Sequence, residues 1–101
     1  MHDESRKSLA IYRCGKATEC LESAKTAFNS GSLPTVINRL YYAVFNSMRA
    51  ILSLDLFDSN KHSGVISAFR QRYIKTGLLP VELSDIIERA FVMRNKSDYE
   101  K

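Results

Sequence analysis

Apolar residues recur along this chain at steps of three and four, and four helical stretches follow from that spacing. In the first stretch Leu9, Tyr12, Ala17, Cys20, Leu21, Ala24, Ala27 and Phe28 share a face, which predicts a helix from about Asp3 to Ser30. Asp3 and Glu4 suit its N-terminus, Asp3 and Lys7 form an i,i+4 pair, and Gly31 is placed to stop it. The second stretch opens at Leu33-Pro34, where proline is tolerated in a first turn. Its stripe of Val36, Ile37, Leu40, Tyr41, Val44, Phe45, Met48, Ile51 and Leu52 is the widest in the chain and marks a central helix. Asn38, Arg39, Tyr42, Asn46 and Arg49 lie on its other face.

Asp55 to Asn60 reads as a loop, with Asp58, Ser59 and Asn60 as helix-capping candidates. A third helix is predicted from Lys61 to Thr76, ending at Gly77, with Val65, Ile66, Phe69, Tyr73 and Ile74 inward. Gly64 inside it costs up to about 1 kcal/mol relative to alanine, which a close helix–helix approach would offset. Lys61, Arg70, Arg72 and Lys75 give this helix a basic, solvated face. The fourth starts near Pro80, with Glu82 and Asp85 in its first turns and Leu83, Ile86, Ile87, Ala90 and Phe91 as its stripe. Asp85 and Arg89 are a further i,i+4 pair. Short loops make successive helices antiparallel neighbours, so the expected fold is all-α, an up-and-down bundle of four long helices.

Composition narrows the reading further. At 101 residues the chain is one domain or a fragment of one. Four glycines and two prolines are too few for the turns of an all-β sandwich. No apolar run approaches the ~20 residues of a membrane span. The N-terminal Met1-His2-Asp3-Glu4-Ser5-Arg6-Lys7 has no apolar signal core, so a cytoplasmic location is expected. The net charge of +4 permits an anionic partner, but the basic residues are scattered and form no tail. Cys14 and Cys20 lie about 9 Å apart along one helix, too far to pair within it, and are expected as free thiols. Neither they nor His2 and His62 make a metal-binding pattern, so no metal and no cofactor is expected.

One feature carries chemistry. Leu83, Ile87, Ala90 and Arg94 fall on one helical line, so Arg94 takes a position whose predecessors point into the core. Such an arginine must reach the rim, pair with a carboxylate, or sit at an interface. Asp98 lies one turn on, and an ordinary Arg94–Asp98 pair is one reading. The other makes Arg94 a phosphate ligand, because its planar fork fits two phosphate oxygens. Asn95, Tyr99 and the surface residue Arg39 could join it. His62, at the start of the third helix, is expected to bond a backbone or loop group. Tyr41 belongs to the core, and Tyr42 packs between helices.

Four segments together resemble the HEPN family (higher eukaryotes and prokaryotes nucleotide-binding domain). They are Asn38-Arg39-Leu40-Tyr41-Tyr42-Ala43-Val44-Phe45, Lys61-His62-Ser63-Gly64-Val65-Ile66 followed by Phe69, Thr76-Gly77-Leu78-Leu79-Pro80, and Arg94 through Tyr99. The likeness runs from about Ser5 onward. It implies one HEPN-like bundle over residues 1–101 that lacks the family's closing C-terminal helix; either the last helix frays or the natural chain continues. It also implies a cytoplasmic homodimer whose polar fourth-helix segments meet in a cleft for RNA or a nucleotide, in a toxin–antitoxin or defence setting. A small nucleotidyltransferase is the implied protein partner. Many family members are metal-independent RNases, in which an arginine is followed a turn or so later by a histidine. Arg94 and Asn95 match that pattern, but positions 99 to 101 are Tyr99, Glu100 and Lys101. Histidine titrates near neutrality, whereas a tyrosine with a pKa of about 10 makes a poor base. The expectation is therefore a binding module, with an RNase built on Arg94 and Tyr99 as the alternative and a purely structural dimer as the next.

Overall fold

A computed structural model describes the backbone of residues 2–99 and the side chains of residues 4–96. Among these residues there are four α-helices and no strand: α1 His2–Asn29, α2 Leu33–Ser53, α3 His62–Phe69 and α4 Glu82–Tyr99. The all-α bundle read from the spacing is the fold observed. No helix among the described residues is long and apolar enough to cross a membrane.

The central role expected of α2 is borne out. Tyr41, Phe45, Met48 and Leu52 of α2 meet Val65 and Phe69 of α3 and Ile87 of α4 in one core. Burying an aliphatic or aromatic side chain of this size contributes about 1.5–3 kcal/mol, so this cluster ties three helices together. α1 lies antiparallel along α2, with Arg13 reaching Ser53 at one end and Cys20 approaching Arg39 further along. Its 28 residues account for most of the molecule's 44 Å length.

The buried face of α1 differs from the stripe expected. Arg13, Cys20, Ala24 and Ala27 are buried, while Leu9, Tyr12, Leu21 and Phe28 are exposed. Small residues let α1 lie close against α2, so Cys20, Ala24 and Ala27 of the expected stripe are buried while its bulky members fall outside the contact. Gly31 does stop α1. Its φ of +82° lies where only glycine is unstrained, and the Ser32 N–H then reaches back to the Ala27 carbonyl. α2 closes in the same way on a leucine: Leu56 has φ +60°, and the N–H of Phe57 bonds the Leu52 carbonyl.

The third helix is not one long α-helix. After Phe69 it widens into a π-helical turn, Arg70–Ile74, where the Lys75 N–H bonds the Arg70 carbonyl at 2.9 Å. Lys61, Arg72 and Lys75 are exposed, as the expected solvated basic face requires, but Arg70 is half-buried and both arginines reach acidic neighbours. Arg70 bonds Glu88 of α4 at 3.0 Å, while Arg72 pairs with Asp55 at 3.5 Å and covers the Phe57 ring. Arg70 facing Glu88 while the start of α3 lies near Arg94 makes α3 and α4 antiparallel.

Two further expectations change. None of the capping candidates caps α3, whose N-cap is Lys61. Asp58 binds arginines instead, and Ser59 Oγ accepts the Lys61 N–H. The close approach at Gly64 is to this loop rather than to a helix, since a Cβ there would lie 2.7 Å from Ser59 Oγ. Asp85 and Arg89 do not form the ion pair expected of them; Glu88 is the α4 acid that pairs among the described residues. The Asp3–Lys7 pair lies outside the described side chains.

Candidate functional site

Helix α2 presents Tyr41 and Tyr42 on either side of Phe45, because i,i+3 and i,i+4 positions adjoin on a helix. Cations from two helices settle on these rings. The Arg94 guanidinium of α4 lies 4.7 Å from the Tyr41 ring centroid and 5.5 Å from that of Tyr42. Arg39 of α2 also lies 5.5 Å from the Tyr42 ring, so two sequence-predicted phosphate ligands share one aromatic platform. Arg49 lies 5.8 Å from the Phe45 ring. Each such contact contributes about 0.5–2 kcal/mol, more as water is excluded.

Arg94 is half-buried, and its Nε is enclosed with no hydrogen-bond partner among the described residues. No carboxylate pairs with it among those residues. Asp98 and Tyr99, the partners the sequence suggested, have side chains outside the described residues. Arg39 is half-buried rather than a surface residue. Its Nη2 donates to the neighbouring Asn38 amide oxygen at 2.7 Å, which holds the fork in place without neutralising it. Asn95 is half-buried beside Arg94 and makes no side-chain hydrogen bond among the described residues.

The structure adds a residue that sequence reasoning set aside. His62 Nδ1 shares a 2.8 Å hydrogen bond with the Tyr41 hydroxyl, so it bonds a core side chain and not the loop or backbone group expected. Its ring packs 4.1 Å from the Phe45 centroid and 5.8 Å from that of Tyr42. Burial first, then the charges of Arg94 and Arg49, hold its pKa below the ordinary 6.5. The imidazole is therefore neutral at pH 7. Burial raises the Tyr41 phenol above 10.0 against the opposing pull of Arg94. Nothing in helical spacing links His62 to Arg94, because the packing of α3 and α4 on α2 brings them together.

Chemically the arrangement offers guanidinium forks, an imidazole and aromatic faces, a set suited to phosphate and to flat rings. A cavity of about 430 Å³ lies beside it between α3 and α4, bordered by Ser63, Ser67, Arg70, Lys75, Glu88 and Phe91. Its Arg70 is already paired with Glu88. No cluster of metal-ligating side chains occurs among the described residues, and Cys14 and Cys20 are free, as expected.

Comparison with known proteins agrees with the resemblance seen in the sequence. The HEPN domain family matches residues 11–101. A UPF0332 protein of Thermotoga maritima is 36% identical over 97 residues, covering 96% of this chain and 73% of the relative. Two Methanocaldococcus jannaschii proteins named as candidate toxins are 35% and 32% identical, over 84% and 82% of this chain. The chain spans only 58% and 62% of the length of those two. No solved structure matches. The chain belongs to the HEPN domain family.

Proposed function

We propose that this HEPN chain is a binding module for the phosphates of RNA or a nucleotide, acting as a homodimer in a toxin–antitoxin setting. The observation that carries the reading is the pair of guanidinium groups, Arg39 and Arg94, on the single ring of Tyr42. Neither has a carboxylate partner among the described residues. Arg94 is the principal phosphate ligand, with Arg39 and Asn95 beside it. The candidate-toxin names of the two Methanocaldococcus relatives support the toxin–antitoxin setting. Residues 1–101 are taken as one HEPN-like unit, and a partner nucleotidyltransferase is the protein occupant the family suggests.

An apolar groove supports the dimer. Leu21, Leu40, Ile86 and Met93 are exposed along it, with Ile37, Val44 and Ala90 at its floor. A second copy covering this groove would remove apolar surface from water. A stable monomer at micromolar concentration in sedimentation would remove the dimer from the reading.

The binding test uses fluorescein-labelled single-stranded RNA in EDTA. Arg94→Ala should weaken binding by about tenfold or more, the loss of roughly 1.4 kcal/mol expected of a charged hydrogen-bonded contact. Binding should also weaken as salt rises. Unchanged binding in the variant would leave a structural dimer as the reading. Cleavage of the RNA in EDTA that vanishes with Arg94→Ala would make turnover, with Tyr99 as its candidate partner, the activity.

A further inference from the structure

We propose that His62 is a ligand of this same site, and that with Arg94 and Arg39 it forms a pocket for a phosphate monoester, the terminal phosphate of an RNA strand or a nucleotide. The inference rests on the phosphate-binding reading above and adds the class of phosphate and a proton.

Geometry makes the case for His62. Tyr41 is 3% exposed, and the acceptor its hydroxyl meets among the described residues is His62 Nδ1. A buried hydroxyl proton needs an acceptor, so the phenol donates to Nδ1. The neutral ring then carries its own proton on Nε2. Because Nδ1 faces Tyr41, Nε2 is the edge left for an outside acceptor. Phe45 packs against the ring and fixes its plane. A half-buried imidazole held at one nitrogen is thus presented as a donor close to the Arg94 charge.

Charge counting selects a dianion. The groups facing His62 are Arg49, Tyr41 and Tyr42 from α2 and Arg94 from α4, with Asp58 and Lys61 on the loop that leads into α3. Asp58 is shared between Arg49 and Arg13, so those three groups keep one positive charge. Arg39 and Arg94 add two more, with no acid against them among the described residues. A backbone phosphodiester brings one negative charge, whereas a monoester near pH 7 brings close to two. A bound dianion also reverses the field that keeps His62 neutral. The imidazole then takes a proton from solvent at Nδ1, where the Tyr41 oxygen turns to accept it, and the complex gains a third cation beside Arg39 and Arg94.

The experiment compares one RNA sequence with a 5′-phosphate and with a 5′-hydroxyl, by fluorescence anisotropy at pH 7 on the full chain. The phosphorylated strand should bind about tenfold tighter, and the preference should shrink to near unity in His62→Gln. Competition by adenosine monophosphate as well as by the strand end would make the nucleotide an equal source; competition by the strand alone would assign the site to RNA ends. Calorimetry in buffers of different ionisation enthalpy should show proton uptake in the wild type and none in His62→Gln. Against a folding defect in that variant, the wild-type His62 resonance should move toward its protonated position when adenosine monophosphate is added at constant pH. Equal affinity for the two strands, or a stationary His62 resonance under saturating ligand, would overturn the inference while leaving RNA binding intact. Absence of RNA binding by the wild-type chain would overturn both.

Discussion

Two arginines occupy equivalent places in their helices and meet opposite fates. Arg13 continues the buried line of Cys20, Ala24 and Ala27 on α1, as Arg94 continues that of Ile87 and Ala90 on α4. Arg13 is 8% exposed and fully occupied: it donates to Ser53 Oγ at 2.7 Å and to Asp58 at 3.1 Å. Asp58 is held from the other side by Arg49 at 2.9 Å. Arg94 rests on tyrosine faces, with its Nε unpartnered among the described residues. An arginine that finds a carboxylate and a hydroxyl serves as a clasp between helices. One that finds rings keeps its charge available to an anion from outside.

The largest expected effect separates them by stability. Arg13→Ala strips charged hydrogen bonds from Ser53 and Asp58 and should cost roughly 1.5–3 kcal/mol in urea unfolding. Arg94→Ala should cost less, about 1 kcal/mol, the low end of the range for its two cation–aromatic contacts, since no carboxylate among the described residues loses a partner. A destabilisation by Arg94→Ala as large as that by Arg13→Ala would erase the distinction.

Titration sharpens the comparison from both sides. Burial alone would raise Asp58, but hydrogen bonds from Arg49 and the Ser59 N–H, and the charges of Arg49 and Arg13, bring it below 3.8. Its contribution is therefore present above that unfolded value and is lost as pH falls through the lower folded one. The lowered pKa of His62 acts in the same sense at higher pH. Stability is full above 6.5 and falls as acid protonates the unfolded chain first, down through the folded value. His62→Gln should flatten the stability profile just below neutrality and leave the Asp58 limb in place. Thermal melts across that range would show the two limbs separately.

The smallest effect probes the joint between the regions. Gly64 packs under Ser59, next to Asp58 and two residues past His62. Gly64→Ala should gain up to about 1 kcal/mol of helix propensity and lose slightly more to the clash, a small net destabilisation. In a Ser59→Gly background the clash is gone, so the same change should stabilise. Destabilisation in both backgrounds would show that the loop is not what glycine accommodates.

Much of this was legible in the residues, and the gaps have physical causes. The stripe of α2 named Tyr41, Phe45, Met48 and Leu52, and all four are core. The turn at Gly31 was also readable, because a positive φ leaves a mark on residue choice. The face of α1 was legible in part: Cys20, Ala24 and Ala27 of its stripe are buried, because close packing favours small residues there, while Phe28 and Tyr12 stay in solvent. The π-helical turn escaped because its residues have ordinary helical propensity, and the partners of Arg70 and Arg72 lie on other elements. The rule that singled out Arg94, a cation in line with apolar neighbours, applied equally to Arg13 and was not carried there.

By itself the amino-acid order determined the helical periods, the central place of α2, the position of Arg94 at the end of an apolar line, and the family likeness, since all of these are written in local spacing. Only the tertiary structure decided which arginine would be neutralised and which left on aromatic rings. It alone brought His62 to Tyr41. Charge neutralisation depends on distances of a few ångströms between helices, and no period along a single helix encodes those.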